Sequence, residues 1–461
     1  MIVQKKTVAG AGLFALSWPI FIENALQMSM SFIDTLMLSY VSDDAVSAVG
    51  VASQAIMLAI LLISSVTMGS NVVITNYLGA KQKIHASKAS ANSLSISLII
   101  GIVLGLLFFL FTDEYLDFFS LTNQTQLHAE NYLMIVGGLI LFYALNVSAG
   151  AILRSHGYTK ASMYCTLGIS ILNIVGNYLF IFGAFGFPKW DVEGVAIATA
   201  GSRFIGFLVM FVIILKTAIA PRKLKEYIHL KALYIRKMLY IGIPSTAEQL
   251  FFHLSQIVIM GMVTLLGDTA LTTHIYVSNI LMFVVLFNLS IAQGTQIKMG
   301  YLFGSNSVTE IYSQFYKSFK LGIITLIPIT IILITTRNNI LFIFTDDKHV
   351  VYLGASVFLT CILLEPGRAL SMIIVHSLRA VSDVRLPAII SVTFMWGICM
   401  PLSYLLSFIF KQGLLGIWIA LSLYEWLLGI TLYIRWKKRQ GFEFRNNLRN
   451  APNKESLDNN L

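Results

Sequence analysis

The chain has 461 residues, 57% of them hydrophobic and only 12% charged, with a mean hydropathy of +0.77. Soluble domains carry about 25% charged residues, so this composition excludes an ordinary soluble enzyme or binding module and specifies a membrane protein. The net charge of +10 needs no nucleic-acid partner, because the basic residues fall almost entirely in alternate connections between apolar runs.

Apolar runs of the length needed to cross ~30 Å of hydrocarbon recur at 13–38, 46–76, 91–111, 131–152, 162–186, 195–215, 238–265, 275–298, 318–336, 350–376, 386–410 and 413–434. The first is too long for a signal-peptide h-region and lacks a small-residue cleavage site, so it is expected to remain as a span. Lys81, Lys83, Lys88, Arg154, Lys160, the run from Lys216 to Lys237, Lys298, Lys317, Lys320, Arg379, Arg385 and the tail from Arg435 occupy one set of connections. Asp43, Asp44, Asp113, Glu114, Asp191, Glu193, Asp268, Asp346 and Asp347 occupy the other. The positive-inside rule then predicts a multi-pass protein of the cytoplasmic (inner) membrane with both termini in the cytoplasm. Cys165, Cys361 and Cys399 lie in apolar runs without metal-ligand spacing and read as small buried hydrophobes.

The first run carries two carboxylates, Glu23 and Asp34, where hydrocarbon is expected. A charge at mid-bilayer costs roughly 2.5–3.5 kcal/mol, so such residues face a cavity or a pathway. Eleven residues apart, they stand about 16 Å apart along a helix rising 1.5 Å per residue. In the fifth run Asn173 and Asn177 share one helix face at i and i+4, and the sixth run adds Thr199. One carboxylate, two amides and a hydroxyl can coordinate a small hard cation or form a hydrogen-bonded proton acceptor; the same residues can also act as an interhelical polar staple.

A shift of 225 residues places Pro19 on Pro244, Glu23 on Glu248, Asp43 on Asp268, Gly69 on Gly294, Gly79 on Gly304 and Arg154 on Arg379; after a gap of three, Gly194 meets Gly416 and Ala198 meets Ala420. Two six-span halves in the same orientation follow, a parallel repeat of the kind transporters use to rock two bundles about a central site. Residues 1–215 form the first lobe, 216–237 a basic cytoplasmic linker, 238–440 the second lobe and 441–461 a tail that reads as a disordered extension. The glycines at 69, 79, 294 and 304 are expected to let helices approach closely and to close helix ends. Arg154 and Arg379 are expected to complement helix C-terminal dipoles.

In the seventh run Glu248, His253 and Gln256 form a polar stripe, and His253 is open to a packing role or to proton relay beside a carboxylate. Glu365 is three residues from Arg368, close enough for an intrahelical pair, and Glu425 is expected to snorkel. Arg203 and Arg368 are placed near span ends by these boundaries, which leaves the carboxylates without a nearby base as the sharper candidates. His274 and His376 read as structural. Met28, Met30, Met57, Met282 and Met395, with many aromatic residues, suit flat lipophilic cations and equally suit packing.

Pro19-(x)3-Glu23…Asp34-Thr-Leu-Met, Gly242-Ile-Pro244-(x)3-Glu248, Glu365-Pro366-Gly367-Arg368, Leu378-Arg379 and Gly416-Ile-Trp418-Ile-Ala420 together resemble the multidrug and toxic compound extrusion (MATE) transporters of bacteria, over residues 10 to 440. The resemblance implies an all-α membrane protein of twelve transmembrane helices in a V-shaped bundle of two six-helix lobes. It implies a monomeric antiporter, not an enzyme, which exports lipophilic organic cations by alternating access, with no cofactor and with Na⁺ or H⁺ as coupling ion. It places the coupling site at Asp34, Asn173, Asn177 and Thr199, the first three serving as metal ligands if the ion is Na⁺. Asn177 is often Asp in relatives, and some carry a second-lobe carboxylate at the position of His253; Glu248 and Glu365 are the other second-lobe candidates. The alternative is a flippase for a lipid-linked precursor on a related fold. It would want a strongly cationic cavity for pyrophosphate, and few intramembrane Lys or Arg are present.

Overall fold

The computed structural model describes residues 10–217, 227 and 230–441. Lys5, Lys6, linker residues 218–226, 228 and 229, and the tail beyond Gly441 lie outside the described residues. Every described regular element is helical. The chain divides into two compact units, Met1–Thr246 and Ala247–Leu461.

In the first unit the helices are α1 (Leu13–Ser39), α2 (Asp43–Gly79), α3 (Lys83–Leu116), α4 (Asn123–Tyr132), α5 (Ile140–Ser155), α6 (Thr159–Phe182), α7 (Asp191–Lys216) and the start of α8 (Ala232–Thr264). A π-helical turn at Leu133–Gly137 follows α4, and the pair Asn123–Gly137 and Ile140–Ser155 is bent by 44°. In the second unit α8 continues, followed by α9 (Asp268–Gly304), α10 (Val308–Thr335), the short α11 (Arg337–Phe342) and α12 (Lys348–Ala380). The last span pair is α13 (Arg385–Phe394) with α14 (Met400–Tyr404), joined and followed by π turns, and then α15 (Leu414–Gly441).

Nine described helices are long and apolar enough to cross a membrane, and the bent α4–α5 pair makes a tenth crossing. The helices α1 and α8 are as long, at 27 and 33 residues, but polar side chains such as Glu23, Asn24 and Asp34, or Glu248 and His253, interrupt them. With these two the spans number twelve, as the sequence pattern predicts.

The repeat is visible in helix ends. Asp43–Gly79 and Asp268–Gly304 begin and end at equivalent residues, as do the α4–α5 pair and α12. Even the turns correspond: Lys81 and Asn306 both have positive φ (61° and 56°), as do Gly157 and Ser382 (83° and 62°). Gly79 and Gly304 are therefore the last helical residues, but the left-handed step falls two residues later on side-chain-bearing residues. The halves differ where π turns enter, in the fourth span of the first and the fifth span of the second.

Local chemistry starts the helices. The Ser42 hydroxyl accepts from the Ala45 N–H at 3.0 Å, with Asp43 and Asp44 in the first turn where the dipole favours acids. Small residues then bring helices together: a Cβ on Gly69 would stand 2.0 Å from the Met238 carbonyl oxygen, and one on Gly242 would stand 1.8 Å from that of Ser65. The backbones of α2 and α8 touch there, and only glycine permits it. Ala45, Ala48, Ala52, Ile56, Ala59 and Ile63 form the buried stripe of α2, whereas Leu106, Phe109 and Leu110 of α3 stay bare, as a lipid-facing surface does. Cys165, Cys361 and Cys399 are free and buried.

Candidate coupling site and buried charge pairs

Asp34 lies near the C-terminal end of α1, beside α6. The Asn177 amide donates to Asp34 Oδ1 at 2.6 Å, and one turn earlier on α6 the Asn173 amide donates to the Thr199 hydroxyl of α7 at 3.0 Å. Asn173, Asn177 and Thr199 are buried, at 0%, 0% and 1% exposure, so α6 carries the two amides as a hinge between α1 and α7. The four predicted residues thus come together as two linked pairs. Thr199 reaches Asp34 only through the α6 amides.

The carbonyl oxygens of Asn173 and Asn177 are buried and have no hydrogen-bond donor. Buried acceptors of this kind are rare unless something else occupies them. One carboxylate with two spare amide oxygens and a hydroxyl is an all-oxygen donor set, which fits a hard monovalent cation, and the same carboxylate can take a proton. Among the described residues no group of three or more His, Cys, Asp or Glu could hold a metal, so the single carboxylate with amides is the arrangement on offer.

Glu23 is not a free carboxylate. Arg154 donates to its Oε1, and the Ser162 hydroxyl donates to the same oxygen at 3.0 Å. In the second unit Arg379 Nη2 donates to Glu248 Oε2 at 2.6 Å. The two arginines stand in the last turns of α5 and α12, as expected for dipole partners, but each reaches instead across to a carboxylate on the first helix of its half. Glu23 and Glu248 are the ion-paired pegs of the repeat, a role that sequence spacing alone does not reveal, since the partners are 131 residues apart.

Glu365, fully buried, accepts from Arg368 Nη1 at 2.6 Å and from the Asn288 amide at 3.4 Å. Arg368 Nε also faces Glu425 Oε1 at 3.4 Å, and the Ser371 hydroxyl donates to Glu425. Glu425 therefore does not snorkel; it completes a cluster with two carboxylates on one guanidinium. Nor are Arg368 and Arg203 near helix ends: both lie well inside their helices, α12 and α7, and Arg203 is central even in the 195–215 apolar run. His253 touches the ring of Phe252 and shares no hydrogen bond or ion pair with Glu248 or Glu365, so the second-half candidates do not form one site among the described residues. His274 packs on Trp418, and His376 is bonded to the Met372 carbonyl, in line with structural roles.

Applying the repeat to this cluster exposes residues that motif reading passes over. Arg368, Ser371 and Glu425 fall on Tyr143, Asn146 and Arg203 of the first unit. There the Arg203 guanidinium sits 4.9 Å above the Tyr143 ring centroid, and the Asn146 amide donates to the Arg203 carbonyl. The same three positions are in contact in both units, but the cation has changed helix and its counter-charge is gone.

The sequence model of the MatE family matches this chain twice, at residues 19–179 and 244–405, the two halves of the repeat. The chain belongs to the MATE transporter family. An uncharacterised transporter of Bacillus subtilis, YisQ, is 38% identical over 427 residues, covering 93% of this chain and 94% of the relative. A Thermotoga maritima protein described as a probable multidrug resistance protein, NorM, is 26% identical over 435 residues, with 93% of each covered. Among solved structures, an outward-facing multidrug resistance MATE transporter superposes with a TM-score of 0.87 at 18% identity, over 96% of this chain and 98% of that one. A bent form of the Vibrio cholerae MATE transporter VcmN gives 0.85 at 16% identity, over 93% and 96%. These last two carry the twelve-helix fold alone.

Proposed function

We propose that this MATE transporter is a cation-coupled antiporter that exports lipophilic organic cations across the cytoplasmic membrane, with both termini on the cytoplasmic side. Asp34 is its coupling residue: it takes H⁺ or Na⁺ in exchange for substrate, and Asn173, Asn177 and Thr199 complete the oxygen set around Na⁺ when that is the ion. The observation that carries the reading is an exhaustive pairing of charge. Among the described span carboxylates, Glu23, Glu248, Glu365 and Glu425 each form a salt bridge with an arginine, whereas Asp34 forms none: it accepts from the neutral Asn177 amide and feels the Arg203 charge only at longer range. A carboxylate without a fixed counter-ion is the one that can exchange its cation.

Coupling requires that ion and substrate bias opposite states. Neutralising Asp34 removes the acceptor that the Asn177 amide binds most strongly, which loosens α1 from α6. A change of contact between two helices at the site is the differential interaction that an alternating-access cycle needs. Names of relatives that speak of multidrug resistance support the choice of substrate class. The test is ethidium uptake into inverted vesicles under a separately imposed pH or Na⁺ gradient. Uptake driven by one of them supports antiport and identifies the ion; indifference to both, across several cationic dyes, removes the proposal.

A further inference from the structure

One surface differs sharply between the two halves of the repeat. In the first unit, linker residues bind where α3 and α7 run side by side. The Tyr227 ring packs on Phe211 of α7 at 6.0 Å, and the Tyr227 carbonyl accepts from the Ser95 hydroxyl of α3 at 2.6 Å. Four residues on, the Lys231 N–H donates to Asn92 Oδ1 at 2.8 Å. In the second unit Tyr316, Lys317 and Lys320 of α10 and Tyr433 of α15 take the positions of Ala91, Asn92, Ser95 and Phe211. Ala91 is 0% exposed, but Tyr316 is 48% exposed, and both lysines are exposed as well. An ammonium group has no lone pair to accept a backbone N–H, so this face cannot hold a peptide as Asn92 does.

Aromatic side chains bridge α10 and α15 instead. Tyr316 Oη lies 2.9 Å from Tyr433 Oη, Phe315 packs on Tyr433 and Trp436, and Lys437 Nζ stands 5.1 Å from the Tyr433 ring centroid. Lys320 is one turn from Tyr316 on the same helix face. Among the described residues neither Lys320 nor Lys437 pairs with a carboxylate, whereas Arg435 and Arg439 of α15 share Asp383. Lys317 belongs to a second group, since it and Glu310 both act on the Lys298 charge. Helical spacing continues each face into bare aliphatic surface. Ile324 and Ile327 follow Lys320 on α10, and Ile430 and Ile434 precede Lys437 on α15, each roughly half exposed. The second unit therefore presents an apolar stripe that ends in two unpaired ammonium groups and a pair of hydroxyls.

We infer that this face of α10 and α15 is a binding site for an anionic phospholipid, whose phosphate meets Lys320, Lys437 and the tyrosine hydroxyls while its acyl chains lie along the four isoleucines. Charge complementarity selects the occupant. Basic groups at the ends of membrane helices collect anionic headgroups, and the hydroxyl pair adds hydrogen bonds to phosphate oxygen that a lone lysine lacks. A zwitterionic lipid brings an ammonium group that both lysines repel, and an apolar protein segment leaves both lysines unpaired. The linker holds the equivalent face of the first unit, so the site belongs to the second unit alone. It is independent of the ion and the substrate carried.

The test titrates the purified full chain in detergent with phosphatidylglycerol or phosphatidylcholine and reads bound lipid by native mass spectrometry. The wild type is expected to retain one phosphatidylglycerol with an apparent Kd about tenfold below that for phosphatidylcholine. Lys320→Gln with Lys437→Gln should erase the preference. Lys83→Gln with Lys160→Gln, which removes equal charge from exposed positions of the first unit, should keep it. Equal binding of the two lipids by the wild type overturns the site, as does a preference that survives the first double variant or falls equally in the second. A benzoylphenylalanine in place of Ile324, irradiated in phosphatidylglycerol bilayers, names the occupant. A lipid adduct supports the site, and an adduct with residues 442–461 or with a second copy of the chain in its place overturns it. If a lysine variant does not fold, the wild-type preference and the adduct decide.

Discussion

Arg154 of α5 donates to Glu23 of α1, and the residues at the same positions of the second half, Arg379 and Glu248, repeat the contact. Both glutamates follow a proline by four residues, Pro19 and Pro244, inside the first helix of each half. Proline removes a helical hydrogen bond, and an ion pair one turn later fixes the weakened helix to a neighbour. Glu23 and Glu248 are therefore structural, although both are intramembrane carboxylates.

Glu23→Gln is expected to destabilise the protein by about 3 kcal/mol, the lower end of the range for breaking a buried pair, because Arg154 keeps some exposure. Thermal melts in detergent followed by size-exclusion chromatography measure it. Glu248→Gln should behave alike. A Glu23→Gln protein that melts like the wild type but no longer couples would place Glu23 in the transport chemistry instead.

Gly242→Ala and Gly69→Ala drive a methyl group into a backbone carbonyl of the facing helix, at 1.8 and 2.0 Å before relaxation. Forced separation of packed helices costs about 1–3 kcal/mol or more, so both variants should express poorly or melt several degrees lower. Gly50→Ala and Gly261→Ala, with nothing within 4 Å of the added carbon, are the matched controls and should melt like the wild type.

Thr199→Val leaves the Asn173 amide, fully buried, without its acceptor. An orphaned buried donor costs about 1–3 kcal/mol, and part of that falls on the Asp34 geometry that Asn177 sets from the same helix face. Transport at saturating ion should survive, while the apparent affinity for the coupling ion weakens about tenfold. Ion titrations of dye transport read this directly, and an unchanged affinity would detach Thr199 from the site.

Arg368→Ala strands Glu365 and Glu425 without a counter-charge in the middle of the second unit. It should be more damaging than Glu425→Gln, which leaves Glu365 paired; comparing their melting temperatures and yields checks the order. The reverse order would mean that the guanidinium is held by Glu425 more than by Glu365.

Much of this was legible in the amino-acid order because repetition and apolarity are local or translational signals. The offset that carries Asp43 to Asp268 is reproduced to the residue by the ends of α2 and α9, and Asn173 with Asn177 does face Asp34 and Thr199. The local pair of Glu365 with Arg368 was legible from its spacing, but the tertiary pairing of charges was not. Glu23 and Arg154 meet only after three helices intervene, and a residue at a helix end offers its dipole partner and its tertiary partner with equal spacing. Glu425 was misplaced for a simpler reason: basic last turns carry α15 past the apolar run to Gly441, so a residue nearer the end of the run falls mid-helix.

The coupling role of Asp34 is tested most directly by counter-transport in proteoliposomes. Addition of tetraphenylphosphonium to one side should draw H⁺ or ²²Na⁺ from the other side toward it in the wild type. In Asp34→Asn that movement should vanish, while equilibrium binding of tetraphenylphosphonium to the purified protein persists. Ion movement at the wild-type rate in Asp34→Asn would contradict the assignment and return the search to the Glu365–Arg368–Glu425 cluster.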